Sequence, residues 1–354
     1  MKTCPHVNGD GGTGFEILIQ LKKRSAEIMR GKIFKVGSFN LYNLVLPEVK
    51  YYGRKKYTKK VYEKKKTWIA QKLDLMDADI IGFQEIFHEK ALKEVLKESD
   101  HYKKVSVKVA KPTGKGPVVG LVSRFPIVEH EVIEDFPASA LLDVDGKEIP
   151  LTRFSRPVLS ARLKIKDNLK LDVFVVHLKS KRPMYADGAD HNDLIEKAKG
   201  QARSLILRAA ESTAMRSLLM DYLQGRNYPV IVLGDVNDAG LAVTSQIVSG
   251  EPPWRRLSYR SKKKIWDVLL YHVKDIQARQ SYSDVYYTHI YNGHYESLDH
   301  IMVSQEFVDK NPNHIGRVGY FSVFNDHLID ETLSKGEVEK WQSDHGLVVA
   351  SIEL

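Results

Sequence analysis

The stretch WQSDHGLVVASIEL, residues 341–354, places two charge-capable side chains at the entrance of an apolar run. Residues 346–354 are rich in β-branched side chains, which predicts a buried last strand. Asp344 and His345 come directly before this strand. Such groups cost desolvation free energy at the edge of a core unless a partner uses them. We therefore interpret Asp344 and His345 as part of a functional site whose other members lie earlier in the chain.

Short β-rich runs recur through the rest of the sequence and alternate with helical patterns. Residues 58–76 carry an apolar face, and residues 192–225 open on an Asn/Asp cap and close on a glycine. This interleaving predicts one α/β domain whose sheets are covered by helices. The strand runs are residues 32–39, 80–83, 118–123, 157–165, 171–178, 228–234, 298–304 and 346–354.

The first 30 residues do not show this strand pattern. We expect them to form an N-terminal extension, either disordered or due to an upstream start, with the folded domain spanning residues 31–354. They lack the basic start and apolar core of a signal peptide. Cys4 is the one cysteine of the chain, which excludes an intrachain disulfide and a cysteine zinc site. The expectation is a cytoplasmic protein, most simply a monomer, without a transmembrane segment.

Acidic, amide and imidazole side chains recur where the predicted strands end. Loops at strand ends of α/β scaffolds bring distant residues together, so these side chains are candidates for one site. Each alone has a structural explanation, such as an Asx turn for GDVND or a core histidine for His177. Their repetition at six strand ends favours a functional interpretation, and the set is Asn40, Glu85, His177, Asp235, Asn237, Asp299, Asp344 and His345.

Part of this set suits a divalent metal ion. Glu85 and Asp344 supply hard carboxylate oxygens and Asn40 adds a neutral oxygen. Few protein ligands of this kind suit Mg²⁺, which keeps several waters and shares a substrate phosphate. The sequence therefore predicts Mg²⁺ as the cofactor, with Mn²⁺ as an alternative.

The other members suit proton transfer and phosphate contact. Asp235 and Asn237 are two residues apart, so an extended backbone would aim both at the same side, where a carboxylate can take a proton from water. Asp299 can orient His345 as a buried carboxylate orients an imidazole. His177 can hydrogen-bond a phosphoryl oxygen.

Six motifs occur in a fixed order: FNLYNL, GFQEI, VVHLKSKR, VLGDVND, LDHIMVS and SDHGLVVA. Together they resemble the endonuclease/exonuclease/phosphatase superfamily from about residue 33 to the C-terminus. The resemblance implies the DNase I-like fold, a four-layer α/β/β/α sandwich, and metal-dependent cleavage of phosphoesters. It implies that Glu85 binds metal with help from Asn40 and Asp344. It makes Asp235 either the residue that activates water or the proton donor to the leaving group. The resemblance also implies substrate contacts at Arg124, Arg156 and Lys179.

The subfamily is narrowed by HLKSKR, which is similar to the H-x-K-S-K stretch of bacterial nucleases in this superfamily. This favours a nuclease acting on DNA or RNA. The alternatives are a phosphatase or phosphodiesterase for a phospholipid or small phosphoester, and a non-catalytic binding module of the same fold.

Positive charge is concentrated in one segment. The chain has a net charge of +9, and residues 50–66 hold nine Lys/Arg and one acid. Phosphate neutralisation by such clusters dominates non-specific nucleic-acid binding, although a solvated helix face is the alternative. Tyr51, Tyr52 and Tyr57 interleave with the cations, and such rings can stack on unpaired bases. We expect nucleic acid as the partner and predict substrate contacts at Lys55, Lys56, Lys59 and Lys60.

Overall fold

The computed structural model describes residues 33–225, 228–278, 286–291, 293–333 and 337–354. The predicted N-terminal extension, residues 1–30, lies outside the described residues. The strands are β1 (Ile33–Leu44), β2 (Ile80–Ile86), β3 (Ser106–Val109), β4 (Val118–Ser123), β5 (Ile127–Asp135), β6 (Asp143–Val144), β7 (Lys147–Glu148), β8 (Arg153–Lys166), β9 (Leu169–His177), β10 (Val230–Asp235), β11 (Leu270–His272), β12 (His289–Tyr291), β13 (His294–Glu296), β14 (Asp299–Ser304), β15 (Arg317–Phe324) and β16 (Leu347–Glu353). The α-helices are α1 (Lys59–Met76), α2 (Glu89–Glu98), α3 (Leu194–Leu223), α4 (Val243–Ser249), α5 (Tyr259–Trp266) and α6 (Val273–Ala278).

Two six-stranded sheets form the centre of the protein. Their strand orders are β15-β16-β1-β2-β4-β3 and β11-β14-β10-β9-β8-β5. Within each sheet one neighbouring pair is parallel, β1 with β2 and β9 with β10, and the other pairs are antiparallel. Parallel strands need a long crossover connection, and the helices α1 and α3 supply it. Five of the eight predicted strand-end residues lie towards, at or just after the carboxyl ends of these four strands: Asn40, Glu85, His177, Asp235 and Asn237.

Three apolar cores separate four layers. The central core joins the inner faces of the two sheets through residues such as Val36, Leu121, Val175 and Ile231. A second core packs α1 and α2 against the outer face of the first sheet, and a third packs α3 and α4 against the second sheet. The expected four-layer α/β/β/α sandwich is therefore confirmed. All eight predicted strands overlap observed strands. The four edge strands of the two large sheets, β3, β5, β11 and β15, were not predicted, because they are short or their alternation is weak or polar.

Both long helices begin at side-chain caps. The Thr58 hydroxyl accepts from the Val61 backbone N–H at the start of α1, and the Asp193 carboxylate accepts from two N–H groups at the start of α3. The apolar face predicted for α1 is buried. Gly200 does not interrupt the 30-residue helix α3. A Cβ at Gly200 would lie 3.0 Å from the Met184 carbonyl oxygen, so glycine lets residues 183–184 pack against the helix. Among the helices of the described residues, none has the length and apolarity that a membrane crossing requires.

Candidate active site

Sheet register brings the acidic and imidazole side chains of the second sheet into one row. Asp235 at the end of β10 pairs in parallel register with His177 of β9 and in antiparallel register with Asp299 of β14. Asn40, from β1 of the facing sheet, donates from Nδ2 to Asp235 Oδ2 at 3.2 Å. All four side chains are buried. The site therefore lies where the carboxyl ends of the parallel strands of both sheets meet.

The GDVND motif has a conformation that explains its residues. Gly234 has φ +141°, and a Cβ there would lie 2.0 Å from the Val176 carbonyl oxygen, so only glycine fits beside β9. Asn237 has φ 58°, its backbone N–H donates to Asp235 Oδ1 at 2.8 Å, and its Nδ2 donates to the Leu178 carbonyl. The extended-backbone prediction for Asp235 and Asn237 is therefore wrong. Asn237 instead adopts a left-handed conformation, in which its backbone N–H binds the Asp235 carboxylate and its side chain binds the Leu178 carbonyl just after β9.

Asp235 lies between two imidazoles. His345 Nδ1 is 2.8 Å from Asp299 Oδ2, and its Nε2 is 3.8 Å from Asp235 Oδ2. His177 Nε2 is 3.5 Å from the same Asp235 oxygen. Ser343 anchors the segment before β16, because its hydroxyl donates to the Asn40 carbonyl and accepts from the His345 N–H. The segment that precedes β16 is thus tied directly to β1.

Charges and burial set different protonation states for these groups. Burial disfavours the imidazolium of His345, but the charges of Asp299 and Asp235 outweigh it and raise its pKa well above its usual range. Burial and the charges of Arg156 and His345 lower the pKa of His177 well below its usual range. Burial raises the pKa of Asp235, while His345 opposes the shift. The site therefore combines a cationic His345 with a neutral His177.

Two carboxylates form a second, more open part of the site. Burial raises the pKa of Glu85, and the nearby Asp344 charge adds to this shift. Glu85 has φ 64°, and its Oε2 accepts from the Asn43 N–H at 2.8 Å. Asp344 groups with His289 and His345, with ligand atoms of all three within 4.8 Å of one another. Repelling carboxylates with oxygen donors fit a divalent cation, which would offset the repulsion.

Two residues of the site were missed from the sequence. Lys65 of α1 is fully buried, and no hydrogen-bond partner is found for its Nζ among the described residues. Burial lowers the pKa of Lys65 to about 7, against the attraction of Glu85 and Asp344. Its Nζ lies 5.6 Å from the ring centroid of Tyr42. The ring of His289 lies 5.0 Å from that of His345. Lys65 is one of many lysines in its segment, and His289 lies on a short hairpin. No sequence pattern therefore distinguishes these two residues from surface residues.

The three substrate contacts that the family resemblance implies lie in different places. The Arg156 Nη1 donates to the Leu178 carbonyl, its Nε is buried without a partner among the described residues, and its charge acts on Glu85 and His177. Lys179 follows β9, and its charge adds to the lowering of the His177 pKa by burial, Arg156 and His345. Arg124 follows β4, which runs antiparallel to β2, so it lies at the opposite end of the sheet from Glu85. The expected role of Arg124 at this site is therefore corrected.

Helix α3 holds the strand ends that carry the site. The buried Glu211 accepts from the backbone N–H of Ser155 at 2.7 Å and of Lys179 at 2.6 Å. One turn earlier, Arg208 donates to Asp238 and to the Lys179 carbonyl. These contacts fix the ends of β8, β9 and β10 relative to one another. No sequence pattern indicates this role, because it depends on which loops meet the helix.

The basic segment begins close to the site. Tyr57 is buried and donates from its hydroxyl to the carbonyl of Tyr42, two residues after Asn40. The side chains of the four predicted contacts are exposed at the start of α1 and just before it. Lys56 pairs with Glu48 at 2.6 Å, so part of its charge is neutralised. The other three predicted contacts, Lys55, Lys59 and Lys60, form no ion pair within 4 Å among the described residues.

Comparison with known proteins agrees with this architecture. Residues 37–345 match the model of the Endonuclease/Exonuclease/phosphatase family. A truncated Caenorhabditis elegans TDP2 superposes with a TM-score of 0.55 at 15% identity, covering 92% of this chain and 100% of that one. A Bacteroides thetaiotaomicron mannosyl-6-phosphatase gives 0.52 at 16% identity, covering 91% and 100%. No curated protein sequence gives a significant match.

The matched residues span most of the chain, so the protein belongs to the endonuclease/exonuclease/phosphatase family. The solved structures confirm the DNase I-like fold. Members of this family are phosphoesterases, which makes the protein a phosphoester hydrolase. At these identities the likeness shows the fold alone, and the substrate has to be argued from the residues.

Proposed function

We propose that the protein is a divalent-metal-dependent nuclease that hydrolyses phosphodiester bonds in DNA or RNA. One observation carries this proposal: Lys55, Lys59 and Lys60 are exposed, form no ion pair within 4 Å among the described residues, and flank Tyr57, whose hydroxyl contacts the Tyr42 carbonyl near the strand-end cluster. A polymer that passes this surface brings several phosphates to the cations while one phosphate reaches Asp235. A small phosphoester has no use for the distal lysines.

The roles follow from the hydrogen bonds and pKa directions. Asp235 accepts the proton of the attacking water, because Asn40 and Asn237 donate to its carboxylate and burial brings its pKa closer to neutral. The His345 imidazolium, oriented by Asp299, stabilises negative charge on the phosphoryl group. The neutral imidazole of His177 and the guanidinium of Arg156 contact the phosphate oxygens.

Glu85, Asp344 and Asn40 would hold the metal ion. The donor set is rich in oxygen, and the Glu85–Asp344 repulsion favours a cation beside these two carboxylates. Mg²⁺, or Mn²⁺ in its place, supplies Lewis-acid charge neutralisation to the substrate phosphate when bound.

A side-by-side assay separates this function from the alternative one. Plasmid DNA, RNA, a sphingomyelin-like lipid and a phosphomonoester are offered at equal concentration in Mg²⁺. The proposal expects turnover of DNA or RNA to exceed that of the other two. Faster turnover of the lipid or the phosphomonoester would support the phosphatase or phosphodiesterase alternative.

The lysines are tested by the salt dependence of nucleic-acid binding. Replacing Lys55, Lys59 and Lys60 with Ser should flatten the slope of log K against log salt by up to about 3, since each phosphate contact contributes about 0.9. The matched control replaces the exposed lysines Lys166 and Lys170 at the β8–β9 turn and Lys310 after β14, at the ends of those strands away from His177 and Asp299. An equal slope change in both triple variants would contradict the proposed polymer path.

A further inference from the structure

A tight turn in the basic segment holds a bulky residue in a strained conformation. Tyr52 has φ 43°, and Gly53 follows with φ 82°. The turn is closed by a bridge in which the Tyr51 N–H donates to the Lys55 carbonyl at 2.9 Å. A left-handed backbone costs free energy for a bulky side chain, whereas glycine adopts it readily. The local backbone therefore gives no reason for a tyrosine at position 52.

The ring of Tyr52 differs from its neighbours in exposure. It packs edge-on against Phe87, with ring centroids 5.7 Å apart and an interplanar angle of 84°, yet 53% of the residue surface stays exposed. Tyr57 is only 3% exposed, and Tyr51 stacks on it. Of the three tyrosines noted in the sequence, Tyr52 is therefore the one with a ring surface free to bind.

The ring lies at the mouth of the candidate site. Phe87, against which it packs, is two residues after Glu85. Burial raises the pKa of the Tyr52 hydroxyl, the charge of Glu85 adds to the shift, and Arg156 and Arg182 oppose it. An aromatic surface thus lies within electrostatic reach of a metal-binding carboxylate and of two guanidinium groups.

We infer that Tyr52 is a stacking surface for one unpaired base of the substrate, next to the reacting phosphate that Arg156 contacts. This inference rests on the proposed nuclease function and names its substrate class. A base that stacks on a side chain beside the reacting phosphate has left its own helix. The preferred substrate is therefore a single strand, or an unpaired end or loop of a longer nucleic acid.

The test scans a single-stranded oligonucleotide of mixed sequence with one abasic residue at each position around the cleaved bond. For the wild type, kcat/KM should fall about 5- to 150-fold at one position, the scale of one base–aromatic stack of about 1–3 kcal/mol. Tyr52→Leu should cut the intact strand with a similar loss and show no further loss at that position. Tyr52→Phe should behave like the wild type.

The control is Tyr320→Leu, because Tyr320 is 55% exposed and lies on β15 beside Ser351, away from the site end of β16. It should match the wild type. Equal cutting by Tyr52→Leu and wild type would overturn the inference while leaving the nuclease function intact. A flat abasic profile of the wild type would do the same, even if Tyr52→Leu does not fold. A wild type that neither cuts nor binds any strand would overturn both.

Discussion

Two arginines at opposite ends of the sandwich have different surroundings. Arg124 donates to Asp77 at 2.7 Å and to Asp79 at 3.2 Å, so both ends of its guanidinium have carboxylate partners. Arg156, at the other end, donates to one backbone carbonyl and keeps a buried Nε without a partner among the described residues. The first arginine is satisfied by the fold, and the second has donor capacity left for a ligand.

A second arginine far from the site and three buried atoms at the site differ in the same way. Arg162 at the far end pairs with both oxygens of Asp172, at 2.8 and 3.1 Å. At the site end, buried atoms without a partner among the described residues include Asp299 Oδ1, His177 Nδ1 and Lys65 Nζ. Unsatisfied buried polar groups cost stability. A ligand that pairs with these three atoms would recover that cost.

The largest expected effect comes from removing the metal. Glu85 and Asp344 would then face an anionic substrate without a compensating cation. EDTA should abolish turnover of nucleic acid, and Mg²⁺ or Mn²⁺ should restore it. Glu85→Gln should raise the Mg²⁺ concentration needed for half-activity. Full turnover in metal-free buffer would contradict the metal assignment.

The two arginines provide a direct test of the comparison. Arg156→Gln should lower kcat/KM by about 10- to 150-fold, because a charged hydrogen bond to phosphate contributes about 1.5–3 kcal/mol. Arg124→Gln should leave kcat/KM unchanged and lower the free energy of unfolding by at most about 1 kcal/mol, since its ion pairs are partly exposed. Turnover and thermal melting of both variants are measured together. A large loss of kcat/KM in Arg124→Gln with none in Arg156→Gln would place the substrate at the Arg124 end of the sandwich and contradict this account.

Removing the Asp299 charge should change the pH dependence of kcat. Asp299 stabilises the imidazolium of His345, so Asp299→Asn should lower the pKa of His345. The protonated form is then lost at lower pH, so the alkaline limb should move toward acid. The acidic limb, set by Asp235, should move less. An alkaline limb that stays in place would argue against His345 acting as a cation.

The smallest expected effect concerns Lys65. A protonated lysine beside Glu85 and Asp344 repels a metal ion, and a pKa of about 7 leaves Lys65 only partly charged at neutral pH. Lys65→Met removes that charge and keeps the chain length. The Mg²⁺ concentration for half-activity should therefore fall. A higher requirement in this variant would mean that Lys65 supports the carboxylates rather than competing with the metal.

Much of the fold and site followed from local patterns. The β-branched runs predicted the central strands, and the polar residues that end them predicted which side chains meet, because strand ends of one sheet share an edge. Asp235, His177 and Asp299 are register partners in consecutive neighbouring strands. Their proximity needed only the strand assignments and the family resemblance.

The residues that were misjudged depend on topology and burial. Arg124 lies at the wrong end because β4 runs antiparallel to β2, which no local pattern specifies. Lys65 belongs to a lysine-rich run that reads as surface, but one face of α1 is pressed against the site. Glu211 acts through the backbone of two distant strands. Such roles appear only when the elements are packed together.

The most direct test of the account is single-turnover cleavage of a single-stranded oligonucleotide by wild type, Asp235→Asn and His345→Ala in saturating Mg²⁺. Both substitutions remove a group that transfers a proton or stabilises charge, so each should lower the cleavage rate by about 10²- to 10⁴-fold. Thermal melting should show that both variants remain folded. A loss below about tenfold in either folded variant would contradict the assignment of this strand-end cluster as the catalytic site.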